Sequence, residues 1–174
     1  HMIEAGRFLE RGLQLSVLLS TGLAQRQDAR ATRSVLEGLL VASESVVTHR
    51  RRYRGSLRAA DVLDLLLVDP SNPRSLAFAL AALRDHLAAM PASTGSTRAE
   101  RLLDHLETEL AAADIGALGA VSDGRRDALV EFLGGVTAQL EQLSVAVTHL
   151  HFESGPPAVP MSELSLIELM ESRA

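Results

Sequence analysis

Apolar residues recur along most of this chain at alternating steps of four and three, the spacing that gathers them on one side of an α-helix. Leu76, Leu80, Leu83, Leu87 and Met90 form one such stripe, and Leu129, Leu133, Val136, Leu140, Leu143, Val147 and Leu150 form a longer one. Near the start, Phe8, Leu9, Leu13, Leu15, Val17, Leu19 and Leu23 share a broad face, while Arg7, Glu10, Arg11 and Gln14 share the other. Leu36, Leu39, Leu40, Ser43, Val46 and Val47 mark the buried side of a second helix. These patterns predict helices over 3–27, Thr32 to Tyr53, Leu57 to Val68, the stretch up to Met90, Thr97 to Ala113, and Ser122 or Asp123 to Phe152. The expected fold is therefore an all-α antiparallel bundle of about six helices.

The breaks are marked by capping and turn residues. Gln27 to Ala31 is a polar connection, and Thr32 is a plausible cap for the second helix. Gly55 follows as its C′ residue, and Ser56 can cap the third helix. Asp69-Pro-Ser-Asn-Pro-Arg-Ser75 separates the apolar run Val62–Val68 from the Leu76 stripe. There Asn72 suits an N-cap and Pro73 the first helical position, where its missing donor is no loss. Open N–H groups beside Arg74 make the corner either a well-built helix start or an anion-binding corner. Pro91-Ala-Ser-Thr-Gly-Ser96 is a loop, with Ser96 or Thr97 as the next cap, and Asp114–Val121 is a linker or a weak turn of helix. Gly134-Gly135 inside the last helix implies a neighbouring backbone at close range, since each glycine costs about 1 kcal/mol against alanine. The pair His1-Met2 reads as a vector remnant, residues 3–154 as the bundle, and 155–174 as a Pro-rich tether with a short amphipathic segment. In that segment Leu164, Ile167 and Met170 share a side, suited either to a lid or to a partner's groove.

Composition narrows the chemistry. Of 174 residues 47% are apolar but only 3% aromatic, so the core is built from Leu, Ala and Val. No apolar run approaches the roughly 18 residues that cross a bilayer. Cysteine is absent, which removes thiol nucleophiles, disulfides and zinc–thiolate sites, and a cytoplasmic protein is expected. All 17 basic residues are arginine, which excludes lysine-based covalent chemistry and a P-loop lysine. A net charge of −5 argues against nucleic-acid binding. No histidine follows a glutamate at the spacing of a di-iron bundle, and His149 and His151 diverge by roughly 200° on a helix. No metal site, cofactor or catalytic motif is read.

The arginines cluster once: Arg50, Arg51, Arg52, Arg54 and Arg58 occupy nine residues at the end of the second helix. Cations there complement the helix dipole by about 0.3–1 kcal/mol each. They equally suit bidentate capture of phosphate or carboxylate. Arg7, Glu10 and Arg11 within one turn allow either a solvated face, with Arg7 paired to Glu10, or a buried ion network.

Three segments resemble one family: Gly6-Arg7-Phe8-Leu9-Glu10-Arg11, Ser45-Val-Val-Thr-His-Arg-Arg-Arg-Tyr53, and Leu65-Leu-Leu-Val-Asp-Pro-Ser-Asn-Pro-Arg-Ser-Leu-Ala77. They are similar to the bacterial alpha-E domain, an α-helical family named for its Glu-Arg motif, in the version fused to or encoded beside a circularly permuted ATP-grasp protein. The family pattern carries Gly-Arg-x-x-Glu-Arg twice, whereas one copy is present, so the chain resembles the C-terminal half. His49 stands where the pattern has tyrosine. The resemblance implies companions: an ATP-grasp ligase, a transglutaminase-like peptidase or a proteasome-like hydrolase in amide-bond chemistry. It singles out Arg7, Glu10, Arg11, Arg50, Arg52, Tyr53, Asp69, Asn72 and Arg74 as ligand-binding candidates. On this reading Glu10, Arg11, Arg50, Arg52 and Arg74 line one polar seam that holds an anionic ligand or partner, with Tyr53 closing it. Two alternatives stand beside it: a structural module whose ion pairs fix helix packing, and a catalytic domain with Glu10 as general base. A homodimer through an apolar face left open by truncation is a further expectation.

Overall fold

The computed structural model describes residues 1–91 and 93–153. Eight α-helices occur among them: α1 (Met2–Leu23), α2 (Ala29–Ala42), α3 (Val46–Arg52), α4 (Ala59–Leu63), α5 (Leu76–Ala88), α6 (Arg98–Ala111), α7 (Ile115–Gly119) and α8 (Asp127–Thr148). Two π-turns, Asp64–Val68 after α4 and His149–Glu153 after α8, extend them. The chain is all-α. Four helices, α1, α5, α6 and α8, close a ring in which α1 packs on α5 and α8, and α6 on the other side of both. The leucine stripes explain it: Leu15, Leu19 and Leu23 of α1 meet the buried stripes of α5 and α8 in one core. Helix α2 and the short helices α3, α4 and α7 sit at the flank of this ring. The segment around Leu164 lies outside the described residues.

More helices form than the periodicity predicts, and the reason is local. The expected second helix breaks at Ser43–Ser45, where Glu44 adopts φ 51°. The Ser43 hydroxyl donates to the Leu39 carbonyl at 2.7 Å and that of Ser45 to the Ser43 carbonyl at 3.0 Å. These bonds compete with helix continuation. The break rotates Val47 outward to 60% exposure, although the periodic pattern assigns it to the core. Val17 is likewise exposed, at the margin of the α1 stripe. Other exposed large apolar residues, Ile3, Val41, Val121, Val145 and Phe152, are distributed over separate elements.

Several caps also differ from expectation. Asp28, not Thr32, caps α2 by accepting from the Ala31 amide at 2.8 Å, and Thr32 donates to the Gln27 carbonyl. The third helix begins after Arg58 without a side-chain cap, so Ser56 has no such role, and Gly55 lacks the positive φ of a C′ glycine. Ser75, not Asn72, caps α5, accepting from the Phe78 amide at 3.0 Å. Thr97 does cap α6, and Glu100 returns the bond in a capping box. The linker after α6 contains α7, whose first amides bond to Asp114. Gly134 and Gly135 face open space: a methyl group added to either would meet nothing within 4 Å, so no backbone approaches them. Finally α8 begins at Asp127. Asp123 and Gly124, at φ 48° and 78°, make a tight turn closed by Ser122 and Arg125 at 2.9 and 2.8 Å. An Asp-Gly pair is the signature of a turn that needs two positive φ values, and it delays the helix.

Candidate functional site

The polar residues of the two later segments converge on the corner between the π-turn and α5. Asp69 is buried and accepts from the Ser71 amide and hydroxyl at 2.9 and 2.7 Å, and from Arg52. Burial works against its charge, but Ser71 and Arg52 hold the carboxyl below its ordinary pKa. Arg52 also lies 3.6 Å from Asp64, whose carboxylate accepts the Tyr53 hydroxyl. Burial first, then this bond, keeps the phenol protonated well above its ordinary range. The chain ends of α3 and α4 are thereby tied to the corner.

Asn72 forms the centre of this lattice, at 1% exposure. The π-turn is closed by the Asp69 amide donating to the Asp64 carbonyl at 3.1 Å. The next such bond, to Leu65, would come from Pro70, which has no N–H. The Asn72 amide nitrogen takes its place, donating to the Leu65 carbonyl at 3.0 Å and to the Ser45 hydroxyl at 3.3 Å. Its oxygen accepts from the Arg74 amide at 3.2 Å, and the Arg74 guanidinium pairs with Glu44 in the break before α3. Asn72 therefore links the α2–α3 break, the π-turn and the start of α5.

The first segment does not join this lattice. Arg7 pairs with Glu4 at 2.9 Å and not with Glu10. Glu10 is exposed and accepts from Gln14 at 3.0 Å. Arg11 reaches only the rim, toward the Pro73 carbonyl at 3.4 Å, and lies over Phe8. The single seam expected from Glu10, Arg11, Arg50, Arg52 and Arg74 is not assembled. Helix rotation explains it: Glu10 and Arg7 lie on the face that α5 and α8 leave to solvent.

Arg50 turns to the other side of α3, into a cleft of about 1050 Å³. Arg26, Arg33, Arg50 and Arg126 line it, against the one carboxylate of Glu37, which pairs with Arg33 at 2.9 Å. Leu40, Val46, Leu57 and Val121 supply apolar wall. His49 also lines it, 5% exposed, its Nε2 without a partner and its ring 5.0 Å from that of Tyr53. Burial lowers the His49 pKa against the pull of Asp61, so the ring is neutral. Tyr53 is common to the cleft and the corner.

Of the cleft arginines, sequence reasoning missed Arg26 and Arg33, and with them Arg126. Its Nη1 donates to the Leu23 carbonyl at 2.9 Å and its Nε to the Gly119 carbonyl at 3.2 Å, capping the C-terminal ends of α1 and α7. The Arg126 amide bonds to the Ala24 carbonyl, and that of Arg26 to Gly124, so the Asp123-Gly124 turn carries both arginines to the cleft. That dipeptide was the available signal. Among the described residues no cluster of three metal-ligating side chains occurs, and no helix is long and apolar enough to cross a membrane.

With this arrangement described, comparison with known proteins defines the class. Residues 1–152 match the model of the Alpha-E family, described as a predicted alpha-helical domain with a conserved ER motif, and the chain belongs to that family. It carries two Glu-Arg pairs, Glu10-Arg11 in α1 and Glu100-Arg101 in α6. It is 40% identical over 148 residues to an uncharacterized protein of Mycobacterium tuberculosis, and equally to one of Mycobacterium bovis. The match covers 84% of this chain but 17% of each relative, so the chain spans about a sixth of their length. No solved structure matches.

Proposed function

We propose that the chain is a helical accessory module of an ATP-grasp amide-ligase system, the second half of its family's domain, and that it holds an anionic ligand or partner in the arginine cleft. The observation that carries this reading is the gathering of four guanidiniums around one cleft that holds a single carboxylate. Arg52 and Arg74 are matched by Asp69, Asp64 and Glu44. Arg26 and Arg50 have no side-chain hydrogen-bond or ion-pair partner among the described residues, and both line the cleft with buried Arg126. A positive cleft in a chain of net charge −5 concentrates anions locally and works over about a Debye length. Relatives several times longer than the match agree with a module that serves other parts of a protein, and the three resembling segments supply the ATP-grasp association. Titration of the purified chain with ATP, a glutamate-rich peptide and an ATP-grasp ligase, at rising salt, tests it. Binding left unchanged by Arg26→Gln combined with Arg50→Gln refutes it.

The corner favours a second role for the other candidates. Arg52, Tyr53, Asp69, Asn72 and Arg74 are donors and acceptors matched to one another and to backbone, which is how residues that fix helix register behave. We assign them to packing. Substitution of Arg52, Asp69, Asn72 or Arg74, none of which lines the cleft, then lowers stability and leaves the affinity of correctly folded protein there intact.

A further inference from the structure

Arg126 lies beneath the cleft at 7% exposure, and no carboxylate among the described residues pairs with it. The carbonyl groups of Leu23 and Gly119 occupy two of its five N–H donors, and both belong to helix ends of partial negative charge. Burial, and then the charge of Arg26, disfavour its protonated form, and both arginines line a cleft whose one carboxylate, Glu37, pairs with Arg33. Arg26 is anchored through its backbone, whose N–H donates to the Gly124 carbonyl at 2.8 Å, while its side chain is exposed and unpaired.

Two guanidiniums lining one cleft distinguish between anions. A carboxylate carries one charge and leaves the pair half-compensated. A phosphate monoester carries about two and a diphosphate about one more, and their oxygens accept from two forks at once. The cleft is also far larger than a bare phosphate. At about 1050 Å³ it lies at the upper end of small-molecule sites, with Leu40, Val46 and Leu57 along its wall and the Tyr53 ring beside them. We propose that the cleft binds an organic phosphate of nucleotide size, the phosphoryl group on Arg126 and Arg26 and the uncharged body against Leu40, Val46 and Leu57. This rests on the reading of the cleft as an anion site and names the ligand class.

Calorimetric titration of the full chain with ADP, adenosine, inorganic phosphate and tetraglutamate tests it. ADP binds, inorganic phosphate competes with it, and adenosine gives no heat. Arg26→Gln weakens ADP roughly tenfold, the loss of one charge-assisted contact. Arg126→Lys does the same, and where circular dichroism shows that variant unfolded, Arg26→Gln alone decides. Absence of ADP binding, or ADP binding indifferent to Arg26→Gln, overturns the proposal. Tetraglutamate bound in place of ADP, with the same arginine dependence, overturns the phosphate assignment and leaves the anion cleft standing. Binding of no anion overturns both.

Discussion

Replacing Asn72 with alanine tests the corner most directly, because the loss follows from three counted bonds. The side chain donates to the Leu65 carbonyl at 3.0 Å and the Ser45 hydroxyl at 3.3 Å, and accepts from the Arg74 amide at 3.2 Å. In Asn72→Ala the Leu65 carbonyl has no substitute donor, since Pro70 lacks an N–H and Asn72 is 1% exposed. A buried carbonyl left unsatisfied costs about 1–3 kcal/mol, and each of the other bonds contributes about 0.5–1.5 kcal/mol, so the sum is about 4 kcal/mol. For a chain of this size that lowers Tm by roughly 8–16 °C. Urea unfolding followed by far-UV circular dichroism reads it as a lower midpoint at unchanged slope. Asn72→Asp shows a similar loss near neutral pH, since a carboxylate presents no proton to Leu65. A loss under about 1 kcal/mol in Asn72→Ala would show that the π-turn does not depend on this side chain, and would refute the reasoning.

Three further outcomes follow from the same structure. The hydroxyl of Ser93, then the hydroxyl and amide of Thr97, hold Glu100 down to about 2 from 4.5. The depressed folded value means stability present above pH 4.5 and lost as pH falls toward 2, a dependence that acid-unfolding curves of Glu100→Gln lack over that window. His49 is held neutral by burial below its ordinary 6.5, so the unfolded chain binds the extra proton and stability declines as pH drops below 6.5. Thermal melts of His49→Gln flatten that decline, and an unchanged slope would refute it. Gly134→Ala and Gly135→Ala fill open space inside α8 and each stabilise by about 1 kcal/mol, seen as a higher urea midpoint.

Local pattern by itself determined the helical stripes and the core. Leu76, Leu80, Leu83, Leu87 and Met90 are all buried, as are Leu129, Leu133, Val136, Leu140 and Leu143, because a 3.6-residue repeat is written within any few turns of chain. The same repeat ran through Ser43 and Val47 and so concealed the break there, where hydroxyl bonds to Leu39 and Ser43 outweighed periodicity. Asp69, Asn72 and Arg74 were marked by the resemblance of their segment, not by the repeat. What each arginine does was decided by tertiary structure. Arg50 and Arg52 are two residues apart on α3, yet one opens into the cleft and the other meets Asp69. Arg126 reaches Leu23 across 103 residues of sequence. A guanidinium carries the same charge wherever it stands in the chain; whether a carboxylate, a carbonyl or an open cleft faces it depends on which helices pack beside it.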